Sequence, residues 1–222
     1  MMHADLATYG VADQHAQLAT GIHAVRVGRD LVLLDLAADD YLCLPECGPL
    51  EIMGATVRGP METLLRLAAE ELLHSGPAPA SERAAPPSLP TESLTLPEAA
   101  RPTLRDAAVF ARIWVDVARR RPTLGELGRR VKSRQGRRDD LEAIARRVAV
   151  FNSLLPLAPW TGACLLQAEL LLRFLNAAGL DADWVFGVRT WPFLAHCWLQ
   201  IGTACVSQVP ETLTIYRPIM VF

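Results

Sequence analysis

The sequence predicts an α+β protein in two parts: a small N-terminal winged-helix-like module, three strands then helices, and a larger domain in which a helix precedes strands. Three observations predict it. The apolar pattern of residues 22–44 is that of short strands, and it turns helical after Pro45. A stretch rich in Pro, Ala and Ser, GPAPASERAAPPSLPTESLTLP, then runs from Gly76 to Pro97. Charge divides at the same place. Residues 1–97 carry 13 acidic and 5 basic side chains, whereas residues 98–222 carry 11 and 17, so a total of −2 conceals halves of −8 and +6. The boundaries follow as a module at 1–75, a linker at 76–97 and a second domain at 98–222.

Ile22 to Val27, Leu31 to Leu36 and Tyr41 to Leu44 read as three short strands. They are joined by Gly28-Arg29-Asp30 and by Ala37 to Asp40, both rich in turn formers. Leu50 to Ala55 is read as a short helix, and METLLRLAAEELLH, behind Pro60, as an amphipathic helix ending at Gly76. A module of this size buries little core unaided. The following stretch lacks large apolar residues and reads as an extended tether.

Beyond the tether, Phe110, Ile113, Trp114 and Val117 recur at helical spacing, the mark of a core face. Arginines cluster from Arg119 to Arg147, and Lys132 is the sole lysine. The cluster lacks interleaved aromatics and recognition-helix chemistry, which favours a solvated face or an acidic partner over nucleic acid. Pro156, Pro159 and Gly162 break the chain before CLLQAELLLRFLNAAGL, a largely apolar helix ending at Gly179. Trp160, in the break, is assigned to the core.

Cys164 opens that helix. Unpaired N–H groups and the positive end of the helix dipole favour a thiolate there and offer donors to an oxyanion. Asp183 to Val188 and Ala195 to Ile201 read as strands around a turn at Pro192, with a third strand at Cys205 to Val209. By the period of two, His196 shares a face with Trp198 and Gln200, and Cys197 lies on the other. A thiol at a helix mouth and an imidazole on a following strand suit nucleophilic catalysis, although buried cysteines are ordinarily inert.

Composition bounds the rest. A chain of 222 residues that is 51% hydrophobic and 21% charged can build two small cores. It shows no apolar stretch of transmembrane length and no signal peptide at MMHADLATYG, so a cytoplasmic location is expected. Five cysteines without a regular framework fit a reducing compartment and a free thiol. Cys43 and Cys47 have the spacing of half a zinc site but no second ligand pair follows, so no metal or cofactor is predicted.

The run from Cys164 and the string G-V-R-x-x-P-F-x-A-H-x-W, Gly187 to Trp198, resemble the leader peptidases of lasso peptide biosynthesis, the B proteins. That resemblance implies a transglutaminase-like, papain-like cysteine protease domain with catalytic order Cys, His, Asp, filled by Cys164 and His196. Where the family has its aspartate this chain has Ser207-Gln208. Gln208 is the match, and Glu211 the nearest carboxylate. A glutamine carbonyl accepts the imidazole N–H, as an asparagine does in papain-like enzymes, but lacks a carboxylate's charge.

The N-terminal half is similar to the recognition element that some B proteins carry fused to the protease. The resemblance implies that a precursor's leader adds as a strand beside Tyr41, Leu42, Cys43 and Leu44 and packs on a helix face drawn from Leu64, Leu67 and Leu72. It implies cleavage between leader and core, and partnership with an ATP-dependent, asparagine-synthetase-like cyclase. A Cys-His acyltransferase or transglutaminase and a non-catalytic leader-binding adaptor remain open as alternatives.

Overall fold

The computed structural model describes residues 15–74, 86–98, 100–120, 122–132, 139–158 and 164–222. The chain opens with β1 (His15–Gln17), β2 (Ile22–Val27), β3 (Asp30–Asp35) and β4 (Asp40–Leu44). β5 (Glu51–Met53), β6 (Thr56–Arg58) and α1 (Met61–Ala69) follow. β2, β3 and β4 form an antiparallel meander, and β1, β6 and β5 form a second small sheet.

Two expectations fail here. Residues 50–55, read as a helix, hold β5 and its turn into β6, where Gly54 sits at φ +61°. The run from Met61 stops at Ala69 rather than at Gly76. Glu71 turns left-handed at φ +58°, its N–H donates to the Ala68 carbonyl, and the Leu72 N–H donates to Leu67. These are the paired bonds of a Schellman ending, with glutamate at the position where glycine is usual. The chain then extends, and Leu73 bridges Leu18. The first half therefore has one helix and two small sheets among its described residues, rather than three strands and then helices.

The second half begins with β7 (Glu92–Ser93), inside the stretch read as a tether. β7 runs parallel to β10, and the Leu94 N–H donates to Cys205 O at 2.9 Å. Residues 91–94 thus belong to the sheet edge, and residues 76–85 of the stretch lie outside the described residues. Next come α2 (Leu104–Arg119), α3 (Leu124–Lys132), α4 (Leu141–Leu154) and α5 (Cys164–Asn176). Thr103 and Asp106 close a reciprocal capping box on α2, and Asp140 caps α4. After α5 come β8 (Asp183–Arg189), β9 (Leu194–Ile201), β10 (Ala204–Cys205) and β11 (Arg217–Val221).

The five-stranded sheet has the order β11-β8-β9-β10-β7. The strand expected at 205–209 closes after Cys205, and β11 was not foreseen. α2, α4 and α5 meet through Phe110, Phe151 and Phe174, whose rings lie 5.6–6.2 Å apart in edge-on or tilted pairs. Arg147 lies 3.5 Å over the Phe174 ring and pairs with Asp106 on α2.

The halves are packed on each other. β3 is buried on both faces: Leu31 and Leu33 join the core under α1, while Val32 and Leu34 join the core of the second half. The Leu124 N–H donates to Asp39 Oδ1 at 3.0 Å, and Trp191 Nε1 donates to Asp30 Oδ2 at 2.8 Å. Among the described residues, no helix is long and apolar enough to cross a membrane.

Candidate active site

β9 sets the geometry. In an antiparallel strand each residue turns both backbone polar groups to the same side, so odd and even residues bond to different neighbours. The Val206 N–H donates to Leu199 O, and Leu199 N–H donates to Ser207 Oγ. Position 197 has the same parity and faces the same side. β10 ends at Cys205, so Cys197 has no strand beside it there: its carbonyl accepts from Gln208 Nε2 at 3.4 Å, and its N–H donates to the Cys164 sulfur.

Cys164 is the first residue of α5, half-buried against the sheet. Its thiol is lowered to about 4. The foremost cause is a hydrogen bond from the Cys197 thiol, followed by one from His196; burial opposes both, and the Cys197 N–H and the imidazolium charge assist. The same contact pushes the Cys197 thiol well above its ordinary value, so Cys197 stays a neutral donor. His196 is raised, first by Cys164, against burial, and then by Gln208. The outcome is a thiolate–imidazolium pair.

Gln208 Oε1 lies 2.8 Å from His196 Nε2. Because the Gln208 amide nitrogen donates to the Cys197 carbonyl, its oxygen faces the ring, and an amide oxygen only accepts. Nε2 therefore carries a proton, leaving Nδ1 for the thiol. Glu211 stands exposed in the 3₁₀ turn Pro210–Leu213 that follows.

Two aromatic rings hold the imidazole. Tyr216 lies against it at 5.2 Å and Trp198 at 6.4 Å, each inclined by 30°. Trp198 Nε1 donates to Gln200 Oε1 at 2.7 Å, and the fully buried Gln200 donates in turn to the carbonyls of Ser88 and Gly202. Gly187, paired with His196 across β8 and β9, makes room for this stack. A Cβ there would come within 2.7 Å of the Trp198 ring and 3.3 Å of Tyr216 Cβ. The glycine of the sequence string is thus a packing requirement beneath the histidine.

The expected leader-binding residues divide. On the edge strand β4, Leu42 and Leu44 pack toward α1, whereas Tyr41 and Cys43 pack toward the second half. Leu64 and Leu67 have 0% exposure and fill the core under α1. Leu72 is buried as well. Cys47 is buried and donates to Arg29 O, Cys43 stays a free thiol, and no cluster of metal-ligating side chains occurs among the described residues. Pro159, Trp160 and Gly162 lie outside the described residues.

Sequence reasoning missed Cys197 and Tyr216. Strand parity sent Cys197 to the face away from His196, yet the thiolate sits at the strand's open side, where Cys197 and the imidazole both reach it. Tyr216 lies in an irregular segment without a periodic signal.

A family model described as transglutaminase-like superfamily matches residues 78–221. The microcin J25-processing protein McjB of Escherichia coli is 40% identical over 48 residues, which cover 22% of this chain and 23% of that protein. Less than a quarter of that relative's length is therefore matched. No solved structure matches the chain.

Proposed function

The chain belongs to the transglutaminase-like superfamily, whose domains suggest a cysteine protease or an acyltransferase, and from that premise we propose a leader peptidase of lasso peptide maturation. It binds the leader of a precursor peptide and cuts between leader and core. The observation that carries this reading is the arrangement of Cys164, His196 and Gln208: a depressed thiol, a raised imidazole and an amide oxygen that fixes the ring. Its partial likeness to a relative named for processing microcin J25 supports the peptide substrate.

In this mechanism the Cys164 sulfur attacks the scissile carbonyl, forming a C–S bond while the C=O electron pair moves to oxygen. The tetrahedral species collapses, the C–N bond breaks and His196 gives its Nδ1 proton to the departing amine of the core. Water then adds to the thioester carbonyl as His196 takes its proton, the C–S bond breaks to return the Cys164 thiolate, and the leader leaves as a carboxylic acid. Gln208 keeps Nε2–H oriented throughout. The freed amine is the group that an ATP-dependent, asparagine-synthetase-like cyclase would join to a side-chain carboxylate, which makes the precursor and that cyclase the proposed partners.

An acyltransferase would share the thioester and differ only in the acceptor, an amine in place of water. Mass analysis of precursor incubated with the protein decides. The expected products are leader acid and free core from the wild type and intact precursor from Cys164→Ala, which still binds leader. Cleavage by Cys164→Ala would overturn the reading, and a leader–amine conjugate without leader acid would assign acyl transfer instead.

A further inference from the structure

Tyr41 belongs by sequence to the N-terminal half, yet its half-buried side chain packs on the core to which Cys164 and Cys197 belong. Its ring meets that of Phe193, one residue before β9, with centroids 5.5 Å apart. The turn bearing Phe193 is fastened from the same sheet. Trp191, otherwise 72% exposed, donates its indole N–H to the buried Asp30, and the Asp30 carboxylate also accepts the Glu46 N–H at 3.1 Å. Phe193 and Leu194 keep 40% and 43% exposure, a partly open apolar wall just ahead of His196 on β9.

Which part of a substrate this wall meets follows from the reaction. The acyl portion is bonded to Cys164, while the leaving amine must lie at the imidazole. Tyr41 packs with Cys43 on the side of β9 that bears Cys197, the thiol's neighbour, whereas His196 is flanked by Tyr216 and Trp198. The Tyr41 hydroxyl is raised above its ordinary value, first by burial and then by its cysteine neighbours, Cys197 and the Cys164 thiolate. It therefore remains a neutral O–H donor. β4, which carries Tyr41, is also the outer strand of its sheet.

We propose that Tyr41 and Phe193 together form the subsite for the residues on the acyl side of the scissile bond, with the Tyr41 hydroxyl donating to the bound peptide. This rests on the peptidase reading. It gives the N-terminal half a part in the reaction site itself: the strand proposed to hold the leader also supplies a wall of the cleft. The wall is aromatic and favours an apolar or aromatic side chain near the cut.

The test compares two alkylating probes on the full chain, acetyl-Phe-Gly chloromethyl ketone and iodoacetamide, by the rate at which intact mass reports modification of Cys164. In both reactions a C–S bond forms and halide leaves. The peptide probe alone reaches the acyl-side subsite. The wild type should favour it over iodoacetamide by about tenfold or more. Tyr41→Phe should lose about threefold of that preference by losing one donor. Tyr41→Ala and Phe193→Ala should each abolish it, with the iodoacetamide rate within about twofold of wild type, the readout that a mere folding defect would move.

Retention of the preference in both alanine variants overturns the proposal. Precursor cleavage is followed in parallel. A preference that depends on Tyr41 in a protein that leaves precursor intact upholds the subsite and sinks the leader reading. Equal cleavage of precursor by wild type and Tyr41→Ala sinks the subsite and leaves the peptidase standing.

Discussion

The two faces of the β2–β4 sheet are both apolar but have different consequences. On one, Leu31, Leu33, Leu42 and Leu44 close the small core beneath α1. On the other, Val32, Leu34, Tyr41 and Cys43 pack into the core of the second half, where the candidate nucleophile lies. A tether-linked module would have one buried face and one solvated face. Here the sheet works as an inner layer, so the first half shares the core to which Cys164 and Cys197 belong.

The strongest way to break the comparison is to empty each face in turn. Leu33 and Leu34 are neighbours on β3, both essentially inaccessible. Leu33→Ala and Leu34→Ala should each cost about 2–5 kcal/mol. They should differ in reach. Leu34→Ala is expected to lower the thermal unfolding of the whole chain in one transition by calorimetry, because it removes packing that both halves share. Two separated transitions, with the later one unmoved, would restore the tethered arrangement.

Beneath the histidine the comparison sharpens to a single atom. Gly187→Ala places a methyl within 2.7 Å of the Trp198 ring. Overpacking of this kind costs about 1–3 kcal/mol. Because the displaced rings hold His196, turnover should fall by about tenfold to a hundredfold, with leader affinity unchanged. Leader binding by fluorescence anisotropy, measured beside turnover, separates that outcome from general unfolding, which would remove both.

A smaller effect concerns charge. Cys164 must be a thiolate and His196 protonated, so activity should rise as pH climbs through about 4 and fall as it passes the raised value of His196, above the ordinary 6.5. Gln208→Glu puts a carboxylate 2.8 Å from Nε2. It favours the imidazolium and should move the alkaline limb upward, leaving the acid limb nearly in place. An alkaline limb that does not move would show that position 208 does not face the ring in solution.

Much of this was legible in the sequence, for identifiable reasons. The meander was readable because its turns are rich in glycine and aspartate, and Cys164 because a helix opens there after a proline break. The string from Gly187 to Trp198 drew attention to His196, and Gln208 came only from the resemblance, as the residue standing where the family has its aspartate. The end of α1 was not readable, because a glutamate takes the left-handed position that glycine would have advertised. β7 was hidden because a two-residue strand within a proline-rich stretch has no period. Nevertheless, the shared core had left a signal. Leu31-Val32-Leu33-Leu34 is an unbroken apolar run, and a strand with one wet face would alternate.

The smallest predicted effect bears on the fastening between the halves. Asp30 is held below its ordinary carboxylate value, foremost by the Glu46 backbone N–H, against burial, and then by the Trp191 indole. Its contribution to stability is therefore present above about pH 3.9 and is lost as pH falls through the lower folded value. Asp30→Asn keeps an oxygen to accept the indole N–H but removes the charge. The cost should be about 1 kcal/mol or less, because the Trp191 partner is largely exposed. The sharper readout is local: Trp191 fluorescence should shift and the peptide-probe preference of Cys164 should weaken by about twofold as Phe193 loosens. If Asp30→Asn leaves both unchanged, the charge of Asp30 does not hold the turn, and a neutral hydrogen bond to Trp191 together with the Tyr41–Phe193 contact suffices.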